Sequence, residues 1–64
     1  MPDVSQPDAM LKLPTVIERT GLSRASIYRL MRVGLFPRKY PIALRAVAWK
    51  RSEIENWINT RPPG

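Results

Sequence analysis

The chain contains no cysteine and no histidine. Without cysteine, no disulfide or thiolate-bound metal can brace a small fold. Without histidine, the usual zinc ligand, general base and pH switch are missing too. The three glycines, at positions 21, 34 and 64, are too scattered to form a phosphate-cradling loop. An enzyme is therefore not expected, and no catalytic residue, metal or cofactor is assigned. No apolar run approaches the roughly 18 residues that a membrane span requires. The opening Met1-Pro2-Asp3-Val4-Ser5 has neither the basic nor the apolar region of a secretory signal. The expected location is the cytoplasm, with no membrane partner.

Acid is also scarce, and its placement matters more than its amount. Between Arg19 and Ser52 there are nine bases and no carboxylate. Asp3 and Asp8 lie in the first ten residues, while all eleven bases lie beyond them with Glu18, Glu53 and Glu55, giving an overall charge of +6. A solvated surface rarely excludes one sign over such a length, so a polyanionic partner is expected. With 64 residues and five aromatic side chains, the chain makes one small domain held by packing alone.

The organising stretch is Thr20 to Gly34. Gly21 can take positive φ and close a preceding helix, and Ser23 is a good N-cap for the next. Gly34 can end that second helix, and Pro37 prevents an early restart. On a helix starting at Arg24, the residues Arg24, Tyr28, Arg32, Ala25 and Arg29 fall within an arc of roughly 140°. Ile27, Leu30 and Met31 fall on the opposite side. One face is apolar and the other holds three arginines and a tyrosine with no acid, which suits a helix that reads nucleic acid.

Around that helix the remaining elements follow. Residues 1–10 are expected to be a disordered tail. Pro14 suits the first turn of a short helix carrying Val16 and Ile17 and ending at Thr20-Gly21. Helix, glycine turn and helix form a helix-turn-helix pattern. Leu35 and Phe36 are expected in the core. Tyr40, Ile42 and Leu44, then Val47 and Trp49, alternate as two short strands with an apolar inner face, joined near Ala43-Leu44-Arg45-Ala46. Pro41 cannot donate to a ladder and belongs on an edge. Ser52-Glu53-Ile54-Glu55 reads as a capping box, with Ser52 as N-cap and Glu55 reaching back. Ile54, Trp57 and Ile58 make a buried stripe on the closing helix, which Pro62-Pro63 stops. The expected fold is mostly α with a small β-hairpin: a minimal winged helix-turn-helix over residues 11–61, with a short tail at 62–64.

These residues carry a family resemblance. Leu13-Pro14-x-Val16, Arg19-Thr20-Gly21-Leu22-Ser23-Arg24-x-Ser26-Ile27-Tyr28-Arg29-Leu30, Gly34-x-Phe36-Pro37, Trp49 and Ser52-Glu53-Ile54-x-x-Trp57-Ile58 resemble, in order and spacing, the AlpA family of small phage-type regulators. That family is similar in turn to phage excisionases and to the MerR-type DNA-binding domain. The resemblance implies a DNA-binding protein of a prophage or other integrated element, working at the nucleoid. It would act as an excisionase (a recombination directionality factor) or as a transcriptional regulator of integrase and excision genes, with integrase as a candidate partner. The family's DNA-contacting positions on the second helix match Ser23, Arg24, Ala25, Tyr28 and Arg29, and its basic wing matches Arg38, Lys39 and Arg45. Where the family often has glycine in the wing turn and before the wing tryptophan, this chain has Leu44, Arg45 and Ala48.

Chemistry divides the contacts. Arg24 and Arg29, with Ala25 and Tyr28, are assigned to base edges, since guanidinium can grip guanine bidentately. Ser23, Ser26, Arg32, Lys39, Lys50 and Arg51 are assigned to the DNA backbone. A phosphate contact stays open for Tyr28 and for any single arginine. One module of this size buries only about 600–1,000 Å² on DNA. The expectation is thus a monomer in solution that assembles cooperatively on repeated sites. An RNA-binding role would give the same charge pattern, but Phe36, Trp49 and Trp57 are needed for the core and leave no stacking platform. A protein-interaction role, such as an antirepressor, is the other alternative.

Overall fold

The structure, a computed structural model, describes residues 8–63. In chain order the elements are β1 (Met10–Leu11), α1 (Leu13–Thr20), α2 (Arg24–Arg32), β2 (Tyr40–Ala43), β3 (Ala46–Lys50) and α3 (Arg51–Asn59). The three strands form an antiparallel sheet in the order β1-β3-β2. This is a minimal winged helix-turn-helix: α1 and α2 are the paired helices, and β2 with β3 is the wing.

Local chemistry sets the helix ends. Lys12 precedes α1, and Pro14 occupies its first turn, where the missing N–H costs no hydrogen bond. Gly21, at φ 74°, closes α1 in the left-handed conformation, its N–H donating to the Ile17 carbonyl at 2.8 Å. The N–H of Ser26 donates to Ser23 Oγ at 3.1 Å, so Ser23 is the N-cap of α2. Gly34, at φ 78°, ends α2 in a Schellman motif. Its N–H reaches the Met31 carbonyl at 3.1 Å, and the Leu35 N–H reaches the Leu30 carbonyl at 2.8 Å.

The core is small and centred on β3. Val16, Ile27, Trp49 and Ile54 are fully buried, with Phe36 beside them. Each helix thus contributes one residue, and Trp49 sits where all three meet: α1 and α3 both pack on its strand, and Tyr28 of α2 makes a T-shaped contact with its ring at 6.4 Å between centroids. The Trp49 indole N–H donates to the Pro37 carbonyl at 3.1 Å.

Several expectations are corrected. Leu35 is 61% exposed. Its backbone is held on both sides, the N–H by Leu30 and the carbonyl by the Trp57 indole N–H at 2.8 Å. Phe36, the next residue, turns inward instead. Ile42 and Leu44 also face solvent, not an inner face. The pairs Pro41↔Val47 and Ala43↔Ala46 place two residues of β2 against one of β3, so Ile42 is the extra residue of a bulge. Pro41 does lie on the edge strand, and the connection is Leu44-Arg45. On α3 only Ile54 is fully buried, while Trp57 and Ile58 are half-buried.

The capping box does not form. Helix α3 starts at Arg51, one residue before the expected cap, and Glu55 turns to Arg19 and Arg51. The cap comes from the other end of the chain. Asp8 Oδ1 accepts the Ser52 N–H at 3.1 Å, Asp8 Oδ2 accepts the Ser52 hydroxyl, and the Ala9 carbonyl accepts the Arg51 N–H at 2.8 Å. A carboxylate beats a local serine here because it is charged and meets the positive helix N-terminus. Residues 8–10 therefore belong to the fold, with Met10 opposite Lys50 and Leu11 opposite Trp49. The rest of the expected N-terminal tail, residues 1–7, lies outside the described residues.

The Ser52 hydroxyl beside Asp8 holds its carboxyl below the usual value of 3.8, aided by the Ser52 N–H and the charges of Lys50 and Arg51 against a smaller effect of burial. A carboxyl depressed on folding stabilises the fold above its unfolded pKa and loses that contribution as pH falls through the folded one. Asp8→Ala is expected to lower the melting temperature at pH 7. The gap from the parent protein should hold down to about pH 5 and narrow below the usual carboxylate value. Equal melting temperatures at pH 7 would show that α3 needs no cap from Asp8.

Candidate nucleic-acid interface

Helix α2 presents its basic face intact. Arg24, Ala25, Tyr28 and Arg32 line one shallow depression of about 460 Å³. Tyr28 is half-buried: its ring makes a T-shaped contact with Trp49 in the core, and two cations lie near the same ring. Arg24 Cζ lies 5.8 Å from the ring centroid and Lys39 Nζ lies 4.9 Å from it. Both are within cation–π range, which at exposed sites is worth about 0.5–1 kcal/mol. Tyr28 thus joins core to surface and gathers two positive charges at the opening of the wing.

The hydroxyls of the first turn are turned toward each other. Ser23 Oγ donates to Ser26 Oγ at 3.1 Å, and Arg29 Nη2 donates to the same Ser26 oxygen at 3.3 Å. Ser23 and Ser26 therefore hold the helix start and steady Arg29 from below. Among the described residues, no carboxylate pairs with Arg24, Arg29 or Arg32.

The wing extends the face. Lys39 leans onto Tyr28, and Arg38 Cζ stands 5.9 Å from the Tyr40 ring centroid. Arg45 is exposed in the wing turn beside Leu44, which is 96% exposed. Lys50 and Arg51 have other surroundings. Lys50 Nζ sits 4.9 Å from the Tyr40 ring centroid, whose hydroxyl donates to the Glu53 carboxylate at 3.0 Å. Arg51 lies 3.9 Å from Glu55, and Arg19 donates to that same carboxylate at 3.1 Å. Both are thus in clusters of mixed sign, unlike the α2 face. A second, larger groove of about 820 Å³ lies between α3 and residues 34–38 and includes Glu53, Trp57 and Arg61. Arg61 covers the Trp57 ring at 4.2 Å.

With this geometry in hand, comparison with known proteins gives a consistent result. The family described as prophage CP4-57 regulatory protein (AlpA) matches residues 9–62. The chain belongs to the AlpA family. It is 39% identical over 64 residues to an uncharacterised protein, ORF88, of Enterobacteria phage P4, covering all of this chain and 72% of that protein. It is 34% identical over 58 residues to the DNA-binding transcriptional activator AlpA of Escherichia coli strain K12, covering 81% of this chain and 83% of that protein.

In this AlpA-family chain, the wing places where glycine was expected hold Leu44-Arg45 and Ala48. Ala48 is fully buried opposite Tyr40. The bulge at Ile42 supplies twist next to the Leu44-Arg45 turn without a glycine. Sequence reasoning missed the approach of Lys39 to Tyr28 and the role of Asp8. The only signal for Lys39 was its place in the acid-free stretch; nothing local marked Asp8. Among the described residues, no helix is long and apolar enough to cross a membrane.

Proposed function

We propose that this AlpA-family protein is a sequence-specific, double-stranded-DNA-binding regulator of a prophage or related integrated element. It acts at the nucleoid, controlling integrase or excision genes or serving directly as a directionality factor beside an integrase. The observation that carries the reading is the α2 face, where Arg24, Arg29 and Arg32 stand exposed without a pairing carboxylate among the described residues. A helix following a tight turn, with its basic face outward, suits the major groove, and the adjoining wing suits the neighbouring backbone. The E. coli relative, a DNA-binding transcriptional activator, supports the same reading.

In this arrangement Arg24 and Arg29 read base edges, with Ala25 and Tyr28 between them. Arg32, Lys39 and Arg38 hold phosphate, and Arg45 follows at the wing. The buried positions of Trp49 and Phe36 support duplex DNA over single-stranded RNA, since neither ring is free to stack on a base. A monomer that assembles cooperatively on adjacent sites fits a module this small.

Arg24→Ala and Arg29→Ala are each expected to cost about 1–3 kcal/mol on the specific site and much less on random duplex. Arg45→Ala should weaken both about equally, as a backbone contact does. Gel-shift titrations on a footprinted fragment from beside the protein's own gene, and on a random duplex, make the comparison. If all three variants lose specific and random binding in the same proportion, α2 is not the reading helix.

A further inference from the structure

Leu44 is the most exposed large apolar side chain among the described residues, at 96%. A lone exposed leucine is ordinary on a protein surface. This one stands at the extreme tip of the wing, in the two-residue connection between Ala43 and Ala46, with Arg45 beside it. The surroundings are those of a surface built for a polyanion, with Arg38 and Lys39 at the base of the same hairpin.

We propose that Leu44 is a wedge that enters the minor groove of duplex DNA and partly unstacks one base step, bending the duplex. The proposal rests on the duplex-DNA reading above and adds to it a residue, a groove and a deformation. Three features of the hairpin favour it. The first is chemical: minor-groove proteins that kink DNA insert apolar side chains, leucine among them, between base steps. A glycine at this tip would have nothing to insert.

The second is reach. Lys39 lies against Tyr28 of α2. From there, five residues of extended chain carry Leu44 about 16 Å outward. That is close to the half-turn of roughly 17 Å that separates a major groove from the adjacent minor groove. The third is support. The bulge at Ile42, the adjacent Pro41 and the closing pair Ala43↔Ala46 fix the tip so that little order is lost on insertion. Arg45, exposed beside it, supplies a cation for the phosphates that flank the groove. Flexible pyrimidine–purine steps are the expected sites of insertion, because they unstack most easily.

The test uses the full chain and a footprinted duplex from beside its own gene, in fragments carrying one site or two. Bending is read by circular permutation and unstacking by permanganate reactivity of thymines. The wild-type protein is expected to bend a single site and to make one thymine reactive. Leu44→Ala should lose that reactivity, cut the bend by about half or more and bind about tenfold more weakly. Its salt dependence should not change, because no charge is removed. Its melting temperature should also match the wild type, since the side chain touches no core. Leu44→Met, which keeps an apolar wedge, should restore reactivity and bend.

An unchanged bend and unchanged reactivity in Leu44→Ala would overturn the wedge. So would a variant that bends one site normally but loses cooperativity on two, which would assign Leu44 to a neighbouring copy. Steep salt-dependent binding by the wild type with no unstacking would overturn the wedge alone. No salt-dependent duplex binding by the wild type would overturn the DNA reading and the wedge together.

Discussion

Trp49→Ala is expected to leave the chain unfolded at 37 °C, with no cooperative thermal transition by circular dichroism. The side chain is fully buried on the middle strand, in one cluster with Val16, Ile27, Phe36 and Ile54. Truncating a buried tryptophan costs about 3–5 kcal/mol. The Pro37 carbonyl would also lose its indole partner, for about 1 kcal/mol more. A domain of this length has only about 3–10 kcal/mol of stability to lose. Trp57→Ala should be milder. That ring is half-buried, packed against Phe36 at 4.9 Å between centroids and covered by Arg61 on the outside. A Trp49→Ala protein melting near the wild-type temperature would mean that the fold is not centred on β3.

The second large effect is expected from salt. Arg24, Arg29, Arg32, Arg38, Lys39 and Arg45 are six exposed cations on α2 and the wing. If about four to six phosphates are neutralised, log K should fall against log salt with a slope of roughly −4 to −5. A fourfold rise in salt would then weaken binding by roughly a few hundred-fold to a thousandfold. Arg19 and Arg51 share Glu55, so Arg19→Ala should leave the slope almost unchanged. Fluorescence titrations of a labelled duplex at several salt concentrations measure it directly. A slope near zero would remove the nucleic-acid reading and leave a protein-binding role.

What could be read from the sequence was what neighbours along the chain decide. Gly21, Ser23 and Gly34 act within one turn of themselves, and each does in the structure what its chemistry suggests. The basic arc of α2 was legible for the same reason, since helical periodicity alone places Arg24, Tyr28 and Arg32 together. The misses came from competition over distance. Ser52 and Glu55 are a sound capping box locally, but Asp8 and Arg19 offer charged partners that the local pattern cannot see. Strand β1 has two residues, too few for any alternation to show, and exists because β3 has a free edge. Leu35 and Phe36 look alike as a pair. Only the engagement of the Leu35 backbone at both its N–H and its carbonyl settles which of them turns inward. Leu44 continues the alternation of Tyr40 and Ile42, and the turn that takes it out of the strand has no glycine or Asn-Gly pair to announce it.

The Asp8–Ser52 contact joins positions 44 residues apart. It determines when in its own synthesis the protein can first exist. A chain growing from the ribosome cannot finish the sheet edge at Met10–Leu11 until Trp49 and Lys50 have emerged, and cannot cap α3 until Ser52 has. Closing so long a loop is slow compared with forming a local turn. Folding therefore waits until the chain has grown past Ser52. A nascent or prematurely ended chain stopping before Trp49 already displays every arginine of α2, yet lacks the platform that holds them. Such fragments would be basic, unstructured and open to proteolysis. The folded domain is thus delivered whole or not at all.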